Sequence, residues 1–145
     1  MPVLWAINHP TRMVVATANG ALHLKDIEEY LEGVALAATL SYRKIFDMSH
    51  CSSELSNEDM LALGARIRGY TRMTAMGPVA IVAGSDEPYQ QALLFESLAV
   101  ADRPLKIFRK LQSAYDWLDE PALAPEHQAV HAENSNIPGV NSPTV

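Results

Sequence analysis

Gly77-Pro78-Val79-Ala80-Ile81-Val82-Ala83-Gly84-Ser85 is the stretch from which the fold is read. Gly77-Pro78 breaks whatever precedes it, and the following five residues are apolar without alternation. A short strand with no polar face must be covered on both sides, as in the middle of a largely parallel sheet. Gly84-Ser85 then turns the chain into a helix, with Ser85 as expected N-cap and Pro88 tolerated in the first turn. A strand of this kind needs strands beside it and helices above and below.

The flanking sequence supplies both. Upstream, Ser56-Asn57-Glu58-Asp59 is a helix start in which the Ser56 hydroxyl can accept the Asp59 amide while the Asp59 carboxylate reaches back. That helix runs through Met60, Leu63, Gly64 and Ile67 to about Thr71. Before it, Lys44 to Met48 reads as a short buried strand and Ser49 to Leu55 as a polar loop. Ile27, Tyr30, Leu31, Val34 and Ala38 repeat at helical spacing from about Asp26. Val3 to Asn8 and Met13 to Ala18 read as two strands joined at Asn8-His9-Pro10-Thr11, an antiparallel hairpin closed by Asn19-Gly20. Downstream, Leu105 to Phe108 is a last strand and Leu111, Ala114, Tyr115 and Leu118 mark a final helix.

The expected fold class is therefore α/β: a mixed five-stranded sheet with about four helices in the order ββαβαβαβα, its crossovers right-handed. Residues 1–120 form the domain. Residues 121–145, rich in Pro, Asn and Ser and without periodicity, are expected to be a flexible tail.

Composition narrows the function. Seventeen acidic residues against eleven basic give a net charge of −6, a sign that repels phosphate backbones and disfavours nucleic acid. No apolar run approaches the roughly 18 residues of a membrane span, so no integral membrane segment is expected. Met1-Pro2-Val3-Leu4-Trp5 lacks the basic and apolar regions of a signal peptide. The single cysteine, Cys51, fits a reducing, cytoplasmic compartment. Nucleotide-binding loops, zinc-protease signatures and nucleophile elbows are missing, so no cofactor, metal or catalytic residue is assigned.

Taken together, Arg12-Met13-Val14-Val15 with Gly20, Phe46-Asp47-Met48-Ser49, the helix from Ser56 to Arg68, Val79 to Ala83, Tyr89 with Phe95-Glu96, and Ala114-Tyr115-Asp116-Trp117-Leu118 resemble the SpoIIAA-like branch of the STAS superfamily over about residues 3–119. The resemblance implies a bacterial, non-enzymatic regulatory or protein-binding module related to anti-sigma-factor antagonists, acting through helices two and three. In those proteins a Ser or Thr at the start of the second helix is phosphorylated, and Ser56 falls beside that position. Its flanks, Leu55 and Asn57, depart from the usual Asp-Ser-Ser-Gly surroundings, and Glu58 and Asp59 would repel a phosphate. Ser56 also makes sense as a helix cap alone.

Other candidates are weighed the same way. Asp47, at the end of its strand, is expected to bond loop amides near Ser49 rather than accept phosphate, because no acidic pair accompanies it. His50-Cys51 sets a base beside a nucleophile, but neighbours in sequence point apart and no orienting acid is present. His127 and His131 lie in the tail without further metal ligands. Arg66, Arg68 and Arg72 suit the helix dipole. In the third helix Tyr89, Ala92 and Phe95 centre on the core side, whereas Leu94, Leu98 and Ala101 fall among polar residues. An exposed apolar stripe of that kind calls for a cover: a second subunit in a homodimer, a partner, the tail or an apolar ligand. The same projection pushes Glu96 toward the buried edge. The alternative function is a carrier or sensor of a small apolar or lipid-like ligand, with Phe95 and Tyr89 lining its pocket.

Overall fold

A computed structural model describes residues 2–98 and 103–120. Five strands, β1 (Val3–Asn8), β2 (Met13–Leu22), β3 (Arg43–Ser53), β4 (Val79–Val82) and β5 (Leu105–Phe108), form one sheet in sequential order. β1 and β2 pair antiparallel, with Val3 opposite Ala18 and Asn8 opposite Met13. The other neighbours pair parallel, so the sheet is mixed. Four helices follow the strands as expected: α1 (Leu24–Leu36), α2 (Asn57–Met73), α3 (Asp86–Leu98) and α4 (Leu111–Leu118). The hairpin turn is held by the Asn8 carboxamide, which accepts the Thr11 amide at 3.1 Å. Arg12 takes a positive φ of 55° at its exit.

A sheet laid down in one direction by right-handed crossovers places all three connecting helices on one face. The larger core lies there, between α1, α2, α3 and the side chains of Val3, Val14, Phe46, Val79 and Ile81. α4 covers the opposite face, where Ile45, Ala80, Val82, Ala114 and Leu118 are buried. β4 is buried at all four positions, as its unbroken apolar sequence requires.

Two strand ends differ from the sequence reading. β2 continues past Asn19-Gly20 to Leu22, and β3 runs through Ser49 to Ser53 instead of entering a loop. These segments pair with each other, Asn19 opposite His50 and Leu22 opposite Ser53, beyond the point where β4 stops. Backbone ladder bonds hold this two-stranded extension, and its polar side chains reflect solvent above the sheet rather than a loop. The register shifts between Thr17 and Asn19, a β-bulge in which two residues of β3, Met48 and Ser49, oppose Ala18.

The start of α2 has the expected reciprocal cap. Ser56 Oγ accepts the Asp59 amide at 3.0 Å, and Asp59 accepts the Ser56 amide at 3.0 Å. α1 packs close to β1 because residue 33 is glycine; any Cβ there would collide with the Trp5 ring. Trp5, Tyr30 and Phe46 continue as a row of inclined rings, with centroids 5.5 and 5.4 Å apart.

A cavity between the sheet and its helices

The larger core is not filled. Between the sheet and helices α1 to α3 lies a cavity of about 80 Å³. A single water needs only roughly 10–15 Å³. Phe46, Met48, Val79 and Ile81 form its floor from the sheet; Tyr30, Met60, Leu63, Ile67, Ala92 and Phe95 wall it from the helices. The period of two along β3 determines this floor. Lys44, Phe46 and Met48 face the cavity, while Ile45 packs beneath α4.

Polar groups sit at its two ends. Gln91 reaches across from α3 and donates to the Leu55 carbonyl at 3.0 Å, tying α3 to the entry of α2. Its Oε1 is buried and has no partner. At the other end, where β3 and β5 begin, Lys44 and Arg103 line the wall. Lys44 is only 2% exposed. Its Nζ donates to the carbonyls of Leu40 and, at 2.8 Å, Tyr42, in the connection from α1 to β3. Burial, and secondarily the nearby Arg103 charge, lower the Lys44 pKa to about 7.

Among the described residues Arg103 makes one long bond, 3.4 Å from Nη1 to the Gly77 carbonyl, and its buried Nε has no partner. Burial lowers its pKa to about 10, opposed by the neighbouring Tyr30. Gly77 is pressed against the carbonyls of Ser41 and Tyr42, so a side chain at 77 has no room. Buried tyrosine at position 30 has its ionisation pushed up by desolvation. No Asp or Glu among the described residues lines the cavity.

The sequence candidates are distributed around this site. Phe95 lies in the cavity wall. Tyr89 does not; its ring packs 4.0 Å from the Arg109 guanidinium, on the far side of the α3 entry. Leu94 is 37% exposed, and its neighbour Leu93, which the helical projection did not single out, is equally exposed. The side chain of Leu98, Ala101 and the tail at 121–145, including His127 and His131, lie outside the described residues. Glu96 is exposed rather than turned to the buried edge; Ala92 and Phe95 occupy the inward face of that turn.

Asp47 is buried and accepts the Ser49 amide at 2.9 Å. That bond spans the bulge inside β3, at the last residue paired with β4, and not a loop. Ser56 is exposed at the α2 cap. Cys51 is half-buried and directed at the Met48 carbonyl at 3.4 Å. Burial and the Asp47 charge push its thiol pKa up, which disfavours the thiolate a nucleophile would need.

Lys44 and Arg103 were not recognised from sequence. A lysine opening a buried strand looks like a strand end, and Arg103 sits in an ordinary Arg-Pro turn. The available signal was the alternation Lys44, Phe46, Met48, which puts the lysine on the same face as two core residues.

The architecture has a solved counterpart. A protein of the DUF3478 family from Shewanella loihica, described as uncharacterised and as having a SpoIIAA-like fold, superposes with a TM-score of 0.55. The match covers 80% of this chain and 93% of that one at 17% identity. This chain has a SpoIIAA-like fold. At that identity the likeness concerns the SpoIIAA-like fold alone. No family model and no curated protein matches the chain. Among the described residues, no helix of this SpoIIAA-like domain is long and apolar enough to cross a membrane.

Proposed function

We propose that this domain is a non-enzymatic binding module that holds a small amphiphilic molecule between its sheet and its helices. The observation that carries the reading is the cavity floored by Phe46, Met48 and Ile81 and walled by Met60, Leu63 and Phe95. Protein interiors are close-packed, and an apolar space of about 80 Å³ between sheet and helices leaves the side chains that line it short of contacts. A bound apolar group supplies them. Methionines at positions 48 and 60 suit a site that adapts to its occupant. A carrier or sensor in a reducing cytoplasm is consistent with one half-buried thiol.

The test is native mass spectrometry of freshly purified protein, compared with protein extracted by organic solvent and refolded. An added organic mass that extraction removes, and that an Ala92→Leu variant fails to retain while still unfolding cooperatively, is the expected result. Protein of bare mass that also takes up no alkanol or alkanoate added in solution would overturn it.

A second reading has its own observation. Leu93 and Leu94 expose apolar surface side by side on α3. We infer a protein contact at this helix, either self-association or capture of a regulatory partner, with Ser56 a candidate modification site at the neighbouring α2 entry. Analytical ultracentrifugation of the wild type against Leu94→Asp tests the first form. Phosphopeptide mapping tests Ser56.

A further inference from the structure

We infer that the occupant of the cavity carries an anionic head, seated at the end where Lys44 and Arg103 meet, with its apolar chain running toward Met48 and Met60. The inference rests on the proposal that the cavity binds an amphiphile, and it names the chemistry of that ligand.

Position supports it first. Lys44 pairs with Val79, and Val79 with Leu105, so the starts of β3, β4 and β5 lie level across the sheet. Lys44 stands at the first of these and Arg103 two residues before the last. Two cations therefore share one end of an otherwise apolar space. From Lys44 to Met48 the floor extends about 13 Å at roughly 3.3 Å per residue. A chain entering from the Lys44 end would follow this floor along β3.

Charge supports it second. A half-buried guanidinium whose Nε is shielded from water is tolerated when that group is paired or hydrogen-bonded. Among the described residues Arg103 has a single 3.4 Å bond to a carbonyl, and its buried Nε has no acceptor. No carboxylate among the described residues lines the cavity to compensate it. The ion pairs of the described residues lie elsewhere, with Asp26, Asp86 and Asp119 as their acids. Lys44 is turned inward beside it, bound to two backbone carbonyls and holding a third ammonium hydrogen in reserve. A carboxylate or phosphate head placed between them would accept from Arg103 Nε and from Lys44 together. Charge-assisted bonds in a water-poor site are the strong ones. A neutral head cannot neutralise Arg103, and a cationic one adds a third positive charge.

The experiment compares decanoate, decanol and decyltrimethylammonium by isothermal titration into delipidated full-length protein at pH 6.5. Decanoate is expected to bind about tenfold or more tighter than decanol, and the ammonium amphiphile weakest. Arg103→Gln should weaken decanoate about tenfold and decanol far less, so that the preference for decanoate disappears, while Arg103→Lys restores part of it. Should Lys44→Met fail to fold, the Arg103 pair of variants still decides the matter. Equal affinity for decanoate and decanol, or a preference that survives Arg103→Gln, would overturn the anionic head and leave the cavity reading standing. If none of the three binds, the cavity reading itself fails. Decyl phosphate against decanoate then separates a phosphate head from a carboxylate, and both fall within the proposal only if inorganic phosphate alone does not compete.

Discussion

Lys44 donates from Nζ to the carbonyl of Tyr42, two residues earlier in the chain, at 2.8 Å, and in doing so folds its own ammonium under the start of β3. The side chain is held inside the domain by carbonyls rather than by a carboxylate. Its charge is therefore solvated by dipoles alone, in the presence of the Arg103 guanidinium and the Tyr30 phenol.

The first prediction concerns pH. Lys44 has a pKa of about 7 in the folded protein and the ordinary lysine value when unfolded. Between these values the unfolded chain binds more protons, so stability rises with pH above about 7. The slope approaches ~1.4 kcal/mol per pH unit. Above about 9 the raised Cys51 thiol and then Tyr30 act in the opposite sense, because the unfolded chain releases those protons first. Scanning calorimetry should give a melting temperature that climbs from pH 7 to 9, and Lys44→Met should flatten that climb. An unchanged climb in the variant would assign it elsewhere.

Gly33→Ala is expected to destabilise the domain by about 1–3 kcal/mol, since the added methyl meets the Trp5 ring and a packed core resists expansion. Urea denaturation of Gly33→Ala, Trp5→Leu and the double variant should reveal compensation, the double costing less than the two singles summed.

Asp47→Asn keeps an acceptor for the Ser49 amide but removes a charge near Cys51. Stability should change by no more than about 1–2 kcal/mol. The Cys51 thiol pKa should fall, because Asp47 is one of the two causes holding it up. Faster labelling by a disulfide reagent at pH 8, relative to the wild type under the same native conditions, checks this; no acceleration would mean that burial alone governs the thiol.

Ser56→Ala is expected to cost about 1 kcal/mol by removing the cap on Asp59, whereas Ser56→Asp should cost little. Chemical denaturation of both separates capping from any role of added charge at that site.

Much of this architecture was legible because its signals are local. The apolar run Val79 to Val82 located the centre of the sheet, helical spacing located α1 and α2, and Ser56 with Asp59 marked a helix start to the residue. The ends of β2 and β3 were misread because His50, Ser52 and Asn19 are polar, and polarity says nothing about a ladder held by backbone bonds in solvent. The cavity was harder. Phe95 could be placed on the inner face of α3 from its spacing, but an unfilled volume depends on how three helices and a sheet meet, and no single segment records that. Arg103 gains its significance only from Gly77 and Lys44, twenty-six and fifty-nine residues away in the chain.

The bulge at Met48-Ser49 absorbs an extra residue without disturbing the faces beyond it. Met48 faces the helices, and three positions later so does Cys51, packed on the larger core, while His50 is turned out to water. An imidazole and a thiol that stand next to each other in the chain are thus delivered to opposite sides of the ribbon. Removing Ser49 would leave an unbroken ladder in which Met48 and Cys51, then two positions apart, still share the inner face and His50 still faces water, so the extra residue alters the ribbon's twist and not this sorting.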